Sequence, residues 1–215
     1  FTGTLSVGDR LRLDQDGDGV QDSGEAGLPG VDVTIVWLGQ DGVLGSADDF
    51  TVTTTTDGNG NYQFDRLPDG DFRVTYDAAD LPAGVTPSFE VDATTDNQVD
   101  LTLAGTGRSD VDFGFQGAGS IGDFVFLDAD ADGLQDVGEP GLADITVNLT
   151  FAGADGVFGN ADDITLSTTT DAAGAYSFAG LPDGDYRVDV DAADTDLPDG
   201  VVRVTGTQSN GSVTR

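Results

Sequence analysis

Between Asp14 and Glu25 the chain reads DQDGDGVQDSGE. Acids stand at the first, third, fifth, ninth and twelfth positions (Asp14, Asp16, Asp18, Asp22 and Glu25), with Gly19 at the sixth. That is the ligand order of a calcium loop of the EF-hand type, in which a hard cation collects six to eight oxygens and the sixth-position glycine makes the sharp turn. Val20, at the seventh position, would contribute its backbone carbonyl. Glu25 carries the extra methylene that lets a carboxylate reach back and bind through both oxygens. The pattern returns in full at Asp128, Asp130, Asp132, Gly133, Leu134, Asp136 and Glu139. Two complete matches in one chain predict at least one Ca2+ per repeat.

A second acidic stretch also occurs twice. Asp41-Gly-Val43-Leu-Gly-Ser-Ala-Asp48-Asp49 is matched by Asp155-Gly-Val157-Phe-Gly-Asn-Ala-Asp162-Asp163. Its glycines permit a tight loop, and its three carboxylates would accept a further cation, raising the expected number to two or three per repeat. An ordinary Gly-Asp surface hairpin is the competing reading, weakened by the self-repulsion of adjacent Asp side chains. Asp57 and Asp171, before Gly turns, and the Leu-Pro-Asp-Gly-Asp segments at 67–71 and 181–185 are explained by turn geometry.

The loops belong to a larger repeat. Residues 7–80 superimpose on 121–194 at a constant offset of 114, with 41 identities in 74 positions and no gap. The sequence therefore predicts an N-terminal extension at 1–6 (a remnant or donor strand), a first module at 7–116, a short linker at 117–120 and a second module at 121–215. The first module ends with SDVDFGF; the second reaches Arg215 without an equivalent and is expected to lack its last strand. Within the first module, β-rich runs separated by Gly, Asp, Asn and Pro predict strands near 7–13, 31–38, 50–56, 61–65, 71–77, 88–92, 98–103 and 110–115. Val31, Val33, Ile35 and Trp37 share one face, as do Tyr62 and Phe64. No window sustains a helical period. The expected class is all-β, two tandem antiparallel Greek-key sandwiches with very little helix. Trp37, Tyr62, Phe64, Phe72, Phe113 and Phe115 invite a carbohydrate-platform reading, but their strand positions fit core packing better.

Composition limits the chemistry. The 215 residues carry 40 acids against 8 bases, a formal charge of −32. That excludes nucleic acid as a natural partner and argues against anionic membranes. Solubility or a high-salt habitat would also favour acidity, yet 37 of the acids are Asp and only Glu25, Glu90 and Glu139 are Glu. Asp suits turns and short ligand loops. Cys, His, Lys and Met are absent, which removes disulfides, thiolate catalysis, the usual general bases and Schiff-base chemistry. No apolar run is long enough to span a membrane. Asp48-Asp49 are sequence neighbours and not two groups held apart across a cleft, so a glycosidase arrangement is absent and the chain reads as a non-enzyme.

The segments VGDRLRLDQDGDGVQDSGEAGLPGVDVTI with TTTDGNGNYQFDRLPDGDFRV, and IGDFVFLDADADGLQDVGEPGLADITVNL with TTTDAAGAYSFAGLPDGDYRV, resemble the B-type repeats of SdrD-like surface adhesins. Those repeats belong to the wider group of Cna-B-like, prealbumin-like sandwich domains. The resemblance covers nearly the whole chain. It implies a calcium-stiffened stalk, spacer or fibre-shaft segment of a secreted or cell-surface protein, with neighbouring modules or further copies of itself as partners. Many Cna-B-like domains are locked by a Lys–Asn or Lys–Asp isopeptide bond; with no Lys, stiffness here must come from packing and metal. The rival reading is an adhesin module recognising a carbohydrate or a protein, which the duplication of the motifs disfavours. A further possibility is a fibre subunit whose residues 1–7 are donated to another chain.

Overall fold

The computed structural model describes residues 3–198, 200 and 201. The first module contains eight strands: β1 (Leu5–Leu13), β2 (Asp32–Trp37), β3 (Phe50–Thr55), β4 (Asn61–Leu67), β5 (Gly70–Tyr76), β6 (Val85–Glu90), β7 (Gln98–Leu103) and β8 (Phe113–Gly117). They form two four-stranded sheets, β4-β1-β8-β6 and β3-β2-β5-β7. The alternation that predicts a sandwich is obeyed: Val31, Val33, Ile35, Tyr62, Phe64, Phe72, Phe113 and Phe115 are all buried. The ring of Tyr76 meets those of Phe113 and Phe115 edge-on, with centroids 5.1 and 5.0 Å apart, and joins the two sheets. These aromatics are core, and Trp37 is half-buried. One 3-10 turn, Ala78–Asp80, is the only helical element among the described residues.

The second module repeats the plan with β9 (Gly119–Phe124), β10 (Thr146–Phe151), β11 (Ile164–Thr169), β12 (Ala175–Leu181) and β13 (Tyr186–Val190). The orders β12-β9 and β11-β10-β13 copy β4-β1 and β3-β2-β5. The last-strand question for this module lies outside the described residues.

Three features differ from the expectations. First, β1 pairs antiparallel with β4 but parallel with β8, through Leu11↔Phe113 and Leu13↔Phe115, so the first sheet is mixed. Second, Leu5 and Val7 pair with Leu67 and Phe64 of their own module, which engages most of the segment considered as a donor; Phe1 and Thr2 lie outside the described residues. Third, β8 runs to Gly117 and β9 starts at Gly119, leaving Ala118 alone between strands where four linker residues were expected. The small side chains there serve close packing. A Cβ on Gly117 would lie 1.9 Å from the Leu181 carbonyl oxygen, a distance only glycine allows.

Across this junction Asp183 N donates to Ala83 O at 2.8 Å and Gln15 Nε2 to Ala179 O at 3.4 Å, while within the first module Gln116 Nε2 holds Gln15 O at 3.2 Å.

Candidate metal centre

β1 delivers the first loop. Leu13 N donates to Ala26 O and Leu28 N to Leu11 O, both at 2.8 Å, while Asp14 N donates to Phe115 O of β8 at 2.8 Å. The loop thus leaves and re-enters the sheet through a neck closed by main-chain bonds on both sides. Asp14 is fully buried there and Glu25 nearly so. Gly17 and Gly19 take φ of +75° and +76°, which turns the chain tightly enough to direct its amides inward.

Those amides hold the carboxylates. Asp14 accepts from Gly17 N (2.9 Å) and Gly19 N (3.2 Å), and Asp16 and Asp18 accept from Asp18 N (3.2 Å) and Val20 N (2.7 Å). Glu25 accepts from Gln15 N through Oε1 at 3.0 Å and from Asp22 N through Oε2 at 3.2 Å. Each acid keeps lone pairs beyond the ones these bonds use. Oxygens of Asp14, Asp16 and Glu25 converge within 4.8 Å of one another, and so do those of Asp16, Asp18 and Asp22. An all-oxygen set drawn from alternate positions of a tight loop fits calcium chemistry. The side chain of Val20 stands in solvent, so that position offers the loop its main chain.

The second loop reproduces the network bond for bond. Asp128 accepts from Ala131 N (2.7 Å) and Gly133 N (3.0 Å), Asp130 from Asp132 N (3.3 Å), and Asp132 from Leu134 N (2.8 Å). Glu139 accepts from Ala129 N (2.7 Å) and Asp136 N (3.0 Å). Oxygens of Asp128, Asp130 and Glu139, and of Asp130, Asp132 and Asp136, converge in the same way, and Leu134 is exposed like Val20. The Asp130 carboxyl lies above its ordinary range: the bond from Asp132 N pulls it down, but the charges of Asp132, Glu139 and Asp136 outweigh it.

Sequence reasoning missed what stands behind the first loop. Arg12 is completely buried. Its Nε donates to Glu25 Oε2 at 3.1 Å, Nη2 to Gly19 O at 2.9 Å and Nη1 to Asp112 Oδ2 at 3.2 Å. Its guanidinium carbon lies 5.4 Å from the centroid of the Phe89 ring. Burial pushes the Asp112 carboxyl up, and the Arg12 charge pulls it part of the way back. Arg10, half-buried, donates from Nη2 to Glu25 O at 3.0 Å. At the offset of 114, Arg10 and Arg12 become Phe124 and Phe126; that exchange was the available signal, although which face either residue takes depends on β8.

The Asp41–Asp49 stretch is organised differently. Asp41 accepts from Val43 N (2.9 Å), Asp48 from Gln40 N (2.7 Å) and Asp49 from Gly45 N (2.6 Å), while the Ser46 hydroxyl bonds both Asp48 and Asp49. The bonds from Ser46 and Gln40 hold the Asp48 carboxyl below its usual range. In the second module Asp155 accepts from Val157 N (2.7 Å), Asp162 from Ala154 N (3.0 Å) and Asp163 from Gly159 N (2.6 Å). Asn160 replaces Ser46 and bonds Asp155 instead, which leaves Asp163 Oδ1 buried without a hydrogen-bond partner. Among the described residues, three-acid convergence occurs in the two long loops and not here.

Tandem β-sandwiches, each with an acidic loop after its first strand, make the chain a pair of repeated β-sandwich modules. It belongs to the SdrD B-like domain family, whose model matches residues 5–114 and 119–212. It is 34% identical over 196 residues to serine-aspartate repeat-containing protein F of Staphylococcus epidermidis, covering 88% of this chain and 10% of that protein. It is 33% identical over 194 residues to serine-aspartate repeat-containing protein D of Staphylococcus aureus, covering 86% of this chain and 13% of that protein. The chain therefore spans little more than a tenth of these relatives' length. Among solved structures it is similar to the shaft pilin SpaA of Lactobacillus rhamnosus GG, with TM-score 0.35 and 16% identity over 93% of this chain and 90% of that one. It is also similar to the minor pilin GBS52 of Streptococcus agalactiae, with TM-score 0.33 and 13% identity over 87% and 83%.

Proposed function

We propose that this chain is a non-enzymatic, calcium-binding spacer: two modules of an extracellular stalk or fibre shaft that are stiffened when their acidic loops take up Ca2+. The observation that carries the reading is the duplicated network, in which twelve main-chain amide bonds, six per loop, hold eight acids in the same register, with Asp22 and Asp136 converging on them. Asp14, Asp16, Asp18, Asp22, Glu25 and the Val20 main chain hold one ion, and Asp128, Asp130, Asp132, Asp136, Glu139 and the Leu134 main chain hold another. The ion supplies positive charge to carboxylates that otherwise repel one another, so its binding energy becomes folding energy. Neighbouring modules of the same protein are the partners, docked as the two are docked here.

The Asp155–Asp163 stretch is the better candidate for a further ion, because the partnerless Asp163 Oδ1 calls for a cation; Asp41, Val43, Asp48 and Asp49 form its counterpart. Calorimetric titration with calcium tests the assignment. Asp14→Ala and Asp128→Ala should each remove one uptake step, and melting in millimolar calcium should lie well above melting in EDTA. Identical melting in the two conditions would sink the proposal.

A further inference from the structure

The two loops share their acids and their amide bonds but differ in what stands behind them. In the first, the Arg12 guanidinium reaches the middle of the loop at Gly19 O, its last acid at Glu25 and the neighbouring sheet strand's approach at Asp112. Arg10 adds a bond to the Glu25 carbonyl. A guanidinium with no solvent exposure depends on these partners, because a buried charge without them is strongly unfavourable. The loop cannot swing away without stranding it. Arg12 also sets one positive charge among five negative ones.

Among the described residues, the second loop has none of this. Phe126 bridges Gly141 in the same register in which Arg12 bridges Gly27, and among the described residues no ion pair reaches a carboxylate of that loop. Among the described residues, the Glu139 carboxylate is held by main-chain amides alone. The fourth loop position, Gly17 in the first copy, is Ala131 with φ of +61° in the second. That left-handed conformation is unfavourable for a residue with a Cβ.

We propose that Arg12 is a built-in counter-charge that keeps the first loop in its binding geometry without metal, whereas the second loop takes that geometry only when calcium supplies the charge. The chain is then a graded device, with one module that stands by itself and one that answers to calcium. This rests on the calcium reading of the loops given above.

Amide hydrogen exchange on the whole chain tests it, in EDTA and in millimolar calcium. In EDTA the amides of Gln15, Gly17 and Gly19 should be at least tenfold more protected than those of Ala129, Ala131 and Gly133, and calcium should close most of that gap. Equal protection of the two loops in EDTA, or better protection of the second, overturns the proposal. Calcium uptake is read separately by calorimetry: if neither loop binds, the calcium reading fails, while the comparison in EDTA still judges Arg12. The double variant Arg12→Phe/Asp112→Asn installs the second module's residue, neutralises Asp112 and leaves Glu25 to the same two main-chain amides that hold Glu139. It should lower first-loop protection in EDTA to the level of the second loop. Should it keep folded β2–β5 amides and an undiminished first loop, the role assigned to Arg12 is overturned; should it unfold, the wild-type comparison decides.

Discussion

Arg12 and Ala131 show how single positions reshape a repeated motif. Relieving the left-handed alanine is the simplest check: Ala131→Gly should stabilise the second module by about 0.5–1 kcal/mol, read as a shift in its urea midpoint. Asp9 gives a prediction of the opposite kind. Burial, and then the charges of Asp112 and Asp110, push its carboxyl from 3.8 up to about 6. A raised folded value means that the folded state holds the proton more tightly than the unfolded chain. The stability this group contributes is therefore full below about 3.8 and is lost as pH rises through about 6. At pH 7 Asp9 opposes folding. Asp9→Asn should be more stable than the parent at pH 7, and the gain should shrink toward pH 4, as measured by denaturant titration at both values. Carbon NMR of the Asp9 carboxyl should show its midpoint near 6.

At the scale of the elements, β1 is the organising strand. It pairs with β4 on one side and β8 on the other and ends in the first loop. The close approach of Gly60 to this strand is a stringent site: a Cβ there would fall 2.2 Å from Leu11 O, at a φ of +77°. Gly60→Ala should cost about 3 kcal/mol, visible as a large drop in the melting temperature of the first module. Much of this layer can be read from residue order. Alternation in Val31, Val33 and Ile35 finds β2, and the spacing of Asp and Glu finds the loops. What residue order does not carry is partnership between distant strands. The parallel pairing of β1 with β8 brings Asp112 to Arg12 across 100 positions, and local pattern contains no trace of it. Pro87 blurred β6 for a different reason. A proline is tolerated because β6 is an edge strand whose register shifts between Pro87 and Phe89, so the strand starts at Val85 and not at Ser88. In the Asp41–Asp49 stretch the acids were readable but their use was not, because the decision between metal and main-chain amide is made by loop conformation.

At the scale of the molecule, the first loop is also part of the junction. Gln15 lies between two loop acids, gives Glu25 its amide and touches the second module at Ala179. A Cβ on Gly180 would sit 2.5 Å from Gln15 O, so the fit is close. Because Arg12 holds this loop in place without metal, the spread of orientations between modules should be narrow already in EDTA. With one spin label on each module and an equal ionic strength of sodium chloride throughout, the measured distance distribution should be as sharp in EDTA as in calcium for the parent, and should broaden in EDTA for Arg12→Phe/Asp112→Asn. A net charge of −32 makes that salt control necessary, since screening alone relieves repulsion between modules.

The parallel neighbours β1 and β8 are the entry and exit strands of the first module. A pull on the two ends of that module slides these strands past each other lengthwise, so the bonds between them bear the load together and do not open one after another like a zip. Asp14 N–Phe115 O lies just beyond that pairing, at the mouth of the first acidic loop. A tug on the chain would thus meet its firmest grip beside the acidic loop, in the geometry that suits a tether under tension.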